Sequence, residues 1–545
     1  MAVAVDPRSA VALDASRPAV PPRRAARPSV ALVVWSAAVG LVFAGPLLYL
    51  LYRNAVLGGN VVDTLTSEAT LGPLARTLTL AVTVSLASAV LGTGLAWLTT
   101  RTDVPGARVW RVVLPVPLAI PSFVGAAALV AAFARGGLLE GPLGIVGVDR
   151  LPAVQGLAGA AVVLTLLTYP YVYLPVAARL RGLPPSLEEN ARLLGRPPWA
   201  VFRTIVLPQA STAIWAGTLL VFLYCLAEFG AVQILRFDTL TRAIYASRLS
   251  PATSVPLSLV LGLLAVAVVA GERALARRRP AVQATRAKRP LVLRLGRWRW
   301  AALAVLATTV LLALVAPVAV LGHWALRGVT AGSSGIDGAD VGRAVWNTVL
   351  VSTLTAVLAT IVVLPVAELT ARRRSRLGEV PNALVVAGFA LPGLVIALAI
   401  VFWVLQLPAG LGLYQTLPML LLAYVVHFGA HAMRASQVAV AGVSRQVRDA
   451  AQVLGASRAR RFLTVEAPLM LPGLLAGAGM VLLSVMKELP ATLLLAPTGF
   501  DTLATRIWQA SSEGFLAETG LTSIVLIALS GVLTWALVLR RAERP

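Results

Sequence analysis

The stretch Glu189-Asn190-Ala191-Arg192-Leu193-Leu194-Gly195 is followed, ten residues after its glycine, by Ile205 and then by Leu207-Pro208. Displaced by 260 residues, the pattern returns as Asp449-Ala450-Ala451, Gly455, Val465 and Ala467-Pro468. The internal spacings agree: six residues from acid to glycine, ten from glycine to the β-branched residue, three more to proline. Each copy lies in a polar stretch between very apolar segments. A polar loop repeated at this distance makes the chain two copies of one unit.

The surroundings say what that unit is. The chain has 545 residues, 58% of them hydrophobic and only 13% charged. Soluble domains hold roughly 45–50% apolar and about 25% charged residues. Apolar runs long enough to span a bilayer recur throughout. Their separation by short polar loops excludes a transmembrane barrel, whose strands alternate residue by residue. Twelve membrane segments are expected. They fall near 30–52, 74–99, 112–133, 156–178, 212–234, 254–271, 301–322, 345–369, 382–405, 416–436, 471–494 and 521–539. The run Val30 to Leu51 is too long for a signal-peptide core and has no clear cleavage site, so it reads as a retained first helix.

The net charge of +24 would point to nucleic acid in a soluble protein. Here the positive-inside rule accounts for it. With the N-terminus inside, 36 of the 47 Lys and Arg residues fall on cytoplasmic stretches, and both repeated loops lie in the cytoplasm. Cys225 stands alone, so neither a disulfide framework nor a cysteine metal site is expected. The expected organisation is a disordered cytoplasmic tail (1–28), a first half (29–272) and a basic cytoplasmic linker (273–299). A second half (300–540) and a short cytoplasmic tail (541–545) follow. Each half carries six segments, an even number, so the halves insert in the same orientation as a parallel repeat.

The repeat extends beyond the loops. Ile120-Pro121-Ser122 matches Leu391-Pro392-Gly393, and Thr77 matches Thr348, at an offset of 271. Glu228 aligns with Glu488 at 260, and Phe237-Asp238-Thr239-Leu240 with Phe500-Asp501-Thr502-Leu503 at 263.

The two loops, 189–208 and 449–468, resemble the EAA loop of the membrane subunits of ABC importers. The departures are mild: Asn190 for the first alanine, Asp449 for glutamate, and Ala467 for the leucine before proline. The resemblance implies an all-α permease of the type I importer class. Two copies of an ABC ATPase would dock on the cytoplasmic loops and a substrate-binding protein outside. In that role Ala191, Ala450 and Ala451 allow close approach, Gly195 and Gly455 turn the chain, and Pro208 and Pro468 start the next element. Glu189 and Asp449 would cap a helix start or pair with a cation of the motor. The chain has no G-x-x-x-x-G-K-[ST] loop, so ATP and its Mg²⁺ are expected on the partner, with no cofactor on this chain.

Lys487-Glu488-Leu489-Pro490-Ala491-Thr492-Leu493-Leu494-Leu495, followed by Phe500-Asp501-Thr502-Leu503, looks like the fused permeases of ferric-iron importers. Ferric iron is the expected cargo, with thiamine, phosphonate or another small solute as alternatives. Outside the class, an ion-gradient-driven secondary transporter is the rival. Charges at bilayer depth are costly, so Glu228, Lys487 and Glu488 are candidate pathway residues; the alternatives are that the acids snorkel at the outer interface or are structural partners of Lys487. Asp238 and Asp501 are candidate contacts for the binding protein. His427 and His431 share a helix face four residues apart. They read as helix-packing residues rather than metal ligands.

Overall fold

Inside a bilayer no water satisfies the backbone, so each apolar run must bond its own amides and carbonyls. The chain answers with helices. A computed structural model describes residues 29–58, 63, 66–140, 154–277, 292–330, 337–372, 376–408 and 412–534. The two expected tails and most of the basic linker lie outside the described residues.

In the first half the helices are α1 (Val30–Val56), α2 (Glu68–Arg101), α3 (Ala107–Val113), α4 (Ser122–Ala132), α5 (Gly156–Thr168) and α6 (Pro170–Arg181). They continue with α7 (Pro185–Leu193), α8 (Leu207–Ala227), α9 (Gly230–Ile234), α10 (Leu240–Ala246) and α11 (Pro251–Arg277). The second half repeats the series after α12 (Arg299–Val310) and α13 (Ala316–Thr330). Its members are α14 (Gly338–Ala367), α15 (Glu379–Gly388), α16 (Gly393–Val404), α17 (Leu417–Gly442) and α18 (Arg445–Val453). Then come α19 (Ala467–Val485), α20 (Pro490–Leu495), α21 (Leu503–Glu513) and α22 (Leu516–Thr534).

Among the described residues nine helices are long and apolar enough to cross a membrane, and two bent pairs meet the same test. The 26-residue α17 occupies the tenth expected segment; His427, His431 and Arg434 dilute its apolar character. The third and ninth segments are not the straight spans expected. Ala107–Ala119 and Ser122–Ala132 meet at 91°, and Arg376–Gly388 and Gly393–Val404 at 105°. The corners are Pro121 and Pro392, which remove an amide and push the preceding residue out of the helical region.

Each half has a core of three helices, α2, α6 and α8 in one and α14, α17 and α19 in the other. Close approach at small residues drives helix packing in lipid, where apolar burial gives little preference. A Cβ on Gly217 of α8 would lie 2.7 Å from the Val172 Cα of α6, and its counterpart Gly477 of α19 is pressed against Ala435 of α17.

The halves are not separate bodies. Helix α1 packs on α14, α15 and α16 of the second half, and its buried Phe43 ring sits against Gly429 and Gly388. In return α13 lies on α4 of the first half, where Trp324 Nε1 donates to the Ala131 carbonyl at 3.0 Å. The end of the linker also folds back. Thr102 and Leu293 form a parallel bridge, and the Leu295 amide donates to Asp103 Oδ1 at 2.8 Å.

Candidate functional site

The two loops fold alike. Helices α7 and α18 are nine residues each, displaced by the 260 residues of the repeat. Both end in the same way. The Gly195 amide donates to the Arg192 carbonyl at 2.9 Å and the Arg196 amide to the Ala191 carbonyl at 3.2 Å. In the second loop Gly455 donates to Gln452 at 3.0 Å and Ala456 to Ala451 at 3.1 Å. This Schellman arrangement needs a left-handed residue after the helix. Gly195 has φ +78° and Gly455 φ +79°. A π-helical turn follows in each copy, Phe202–Val206 and Phe462–Glu466, and leads into α8 and α19. Pro208 and Pro468 stand in the first turn of those helices.

Ala191 and Ala451 are buried, whereas Ala450, Glu189 and Asp449 are exposed. Glu189 and Asp449 sit at the centre of their helices, too far from the N-termini to cap them. Ser444 caps α18 instead, accepting from the Val447 amide. That corrects the capping role considered for the two acids. The tips carry a feature not singled out from sequence. Leu193 and Leu194 are 85% and 81% exposed, and their counterparts Val453 and Leu454 are both 87% exposed. Four bare aliphatic side chains therefore stand at the ends of two polar loops.

Sequence reasoning also missed the charges behind the loops. Glu188, not its neighbour Glu189, is buried, and it pairs with Arg101 of α2 at 2.7 Å. Burial pushes the Glu188 carboxyl up from its ordinary range, while Arg101 and Arg192 pull it down. In the second loop Glu466 is buried between Arg372 at 2.5 Å and Arg461 at 2.8 Å. Only the mismatch of Glu188 with Arg448 across the repeat gave any sign of this in the sequence.

Glu228 and Glu488 each sit where a helix breaks. The Ala231 amide of α9 donates to Glu228 Oε1 at 2.8 Å, and the Ala491 amide of α20 to Glu488 Oε1 at 3.3 Å. Each carboxylate thus receives an amide from the first turn of the short helix that follows it. Thr241 and Thr492 hydroxyls bond the carbonyls of the same two acids, at 2.6 and 2.8 Å. The first copy has a further donor, Ser122 Oγ at 2.9 Å from Glu228 Oε1. In the second copy that position is Gly393, and Glu488 lies over the bare backbone.

Lys487 makes no ion pair with either acid. Its Nζ donates to the Leu118 carbonyl of the other half at 2.9 Å. The halves meet again where Phe229 packs on Trp508, ring centroids 5.6 Å apart. His427 and His431 stack and edge around Phe389. Among the described residues no group of three or more His, Cys, Asp or Glu side chains is arranged to hold a metal ion.

The F-D-T-L repeat has a structural basis. The Leu240 amide donates to Thr77 Oγ1 at 2.8 Å, and the Leu503 amide to Thr348 Oγ1 at 2.9 Å. The aspartates within it differ. Asp238 is exposed and pairs with Arg76 at 3.4 Å and with Arg242. Asp501 is half-buried, and its carbonyl accepts from Asn347 Nδ2 at 3.0 Å.

Comparison with known proteins matches residues 88–279 and 363–542, one stretch per half, to the family described as binding-protein-dependent transport system inner membrane component. The Fe(3+)-transport system permease protein FbpB 2 of Haemophilus influenzae is 30% identical over 514 residues, covering 93% of this chain and 97% of that protein. Shorter relatives match part of the chain. The sulfate transport system permease protein CysT of Escherichia coli is 33% identical over 29% of this chain and 55% of its own length. The molybdenum transport system permease protein ModB of Escherichia coli is 36% identical over 27% of this chain and 63% of its own. With two matched halves, a duplicated helical core and a loop repeated in sequence and in shape, this chain belongs to the binding-protein-dependent transport system inner membrane components.

Proposed function

We propose that this chain is the whole translocation pathway of an ABC importer for ferric iron, sitting in a bacterial plasma (inner) membrane with both termini cytoplasmic. The observation that carries the cargo is the end-to-end match to a ferric-iron permease; the sulfate and molybdenum relatives align with a fraction of the chain. Two copies of a separate ABC ATPase dock on α7 and α18, through the exposed pairs Leu193-Leu194 and Val453-Leu454, with Glu189 and Asp449 facing motor cations. A substrate-binding protein sits on the outer face near Asp238 and Asp501. ATP and Mg²⁺ stay on the motor. This chain binds no cofactor, catalyses nothing, and has lipid rather than nucleic acid around it.

The mechanism is alternating access. In the conformation described, Phe229 against Trp508 and Lys487 on the Leu118 carbonyl tie the two halves together. Motor closure draws the two loops together, and the levers α8 and α19 carry that motion to the breaks at Glu228 and Glu488. Separation there exposes both acids to a cation arriving from the binding protein. The paired acids favour a cationic cargo over an anionic phosphonate; thiamine is also a cation, and only the uptake comparison separates it from iron.

Uptake of radiolabelled ferric iron, with thiamine and sulfate in parallel, tests the cargo in cells lacking this chain. Restoring the gene should restore iron uptake alone; rescue of another solute instead would reassign it. Replacing Gly195 and Gly455 together with valine tests the class. A β-branched residue at φ near +78° is strained, so both loop ends should distort and ATP-dependent uptake should fall at least tenfold. Unchanged uptake would favour a secondary transporter.

A further inference from the structure

The repeat carries Arg101 to Arg372 at the offset of 271, and Glu188 to Arg448 at 260. The arginine is kept and its acid is not. In the first half Arg101 and Glu188 meet at 2.7 Å with side chains only 2% and 7% exposed. Arg101 also donates to the Leu180 carbonyl at the end of α6, at 2.6 Å. One side chain thus ties α7 to the cytoplasmic ends of α2 and α6.

In the second half the acid has moved. Glu466 stands where the first half has Val206, and Arg461 where it has Val201. Arg372 bonds Glu466 at 2.5 Å and Glu368 at 3.1 Å. Glu466 holds Arg461 at 2.8 Å, and Arg461 Nη1 donates to Gln452 Oε1 of α18 at 3.3 Å. The path from the end of α14 to α18 therefore runs through two intermediate side chains rather than none. Arg448 of α18 lies close enough to Arg372 to be repelled and to Glu466 to be attracted, without a direct ion pair to either.

A buried ion pair adds little net stability over apolar packing, yet losing one partner strands a charge. Such pairs are better suited to fixing geometry. We infer that Arg101 and Arg372 are positioning residues that clamp the two loop helices to the membrane core, with the partner acid exchanged between position 188 in one half and position 466 in the other. The clamp's part in transport rests on reading α7 and α18 as the motor-docking helices. The first helix is gripped directly. The second is held through a longer and more exposed relay, so its attachment is the looser of the two.

Amide hydrogen exchange on the purified full-length chain in lipid nanodiscs tests the clamp without any motor. Glu188→Gln should speed exchange in 185–193 by about tenfold and leave 445–453 alone. Glu466→Val should do the reverse. Adding Arg448→Glu to Glu466→Val puts an acid at the first half's position, beside Arg372, and should return 445–453 to wild-type protection. Unchanged exchange in both single variants, or a double variant no better than Glu466→Val, overturns the inference. If Glu466→Val does not accumulate, the isosteric Glu466→Gln takes its place in the same comparison. Iron uptake in the same variants separates the two readings. Loosened helices with lost uptake support the clamp's role in coupling. Loosened helices with full uptake leave the clamp standing and remove the docking role of the loops.

Discussion

Thr77 and Thr348 show how a residue can carry a fold while looking ordinary. Each hydroxyl accepts the amide that opens α10 or α21, fixing the preceding loop against α2 or α14. Thr77→Val or Thr348→Val leaves that buried amide unpaired at constant shape. Each should cost about 1–2 kcal/mol, read as a lowered thermal midpoint in detergent, while the serine variants stay near wild type. The recurrence of Thr77 and of F-D-T-L was visible in the sequence; that the two recurrences bond to each other was not. The same limit hid the pairs behind the loops. A sequence displays charges, and Glu189 at the motif position draws the eye, but which acid turns inward depends on helix phase and on an arginine far away in the chain.

At the level of the element, hydropathy located the membrane segments because desolvation depends on composition. It did not see that two of them turn by about a right angle, since a corner costs nothing in apolar content. Pro121 and Pro392 were the available signal. The break at Glu228 has no proline and was unreadable: Gly230 follows it, and the acid itself supplies the missing acceptor. Packing within each half depends on small residues at matched positions. Gly217→Leu and Gly477→Leu should each abolish accumulation of folded protein, because the neighbour met at 217 is backbone and cannot move aside. Gly94→Ala, where a Cβ meets nothing within 4 Å, should be neutral or slightly stabilising. Size-exclusion profiles of the three variants check both statements.

For the whole molecule, the exchange of leading helices makes one body of two halves. Phe43 of α1 is 1% exposed and lies among second-half residues. Phe43→Ala should cost about 3 kcal/mol and lower the thermal midpoint of the entire chain in a single transition, not of one half. The repeat was legible in motifs that recur at fixed offsets. The exchange was not, because no local pattern records which half a helix leans on. A permease built from two identical polypeptides has one coding sequence for both loops, so any change at one is imposed on the other. Joining the copies end to end lifts that constraint, and each loop then mutates alone. Opposite charges at matched positions, Glu188 in one loop and Arg448 in the other, are open only to a chain that encodes each loop separately.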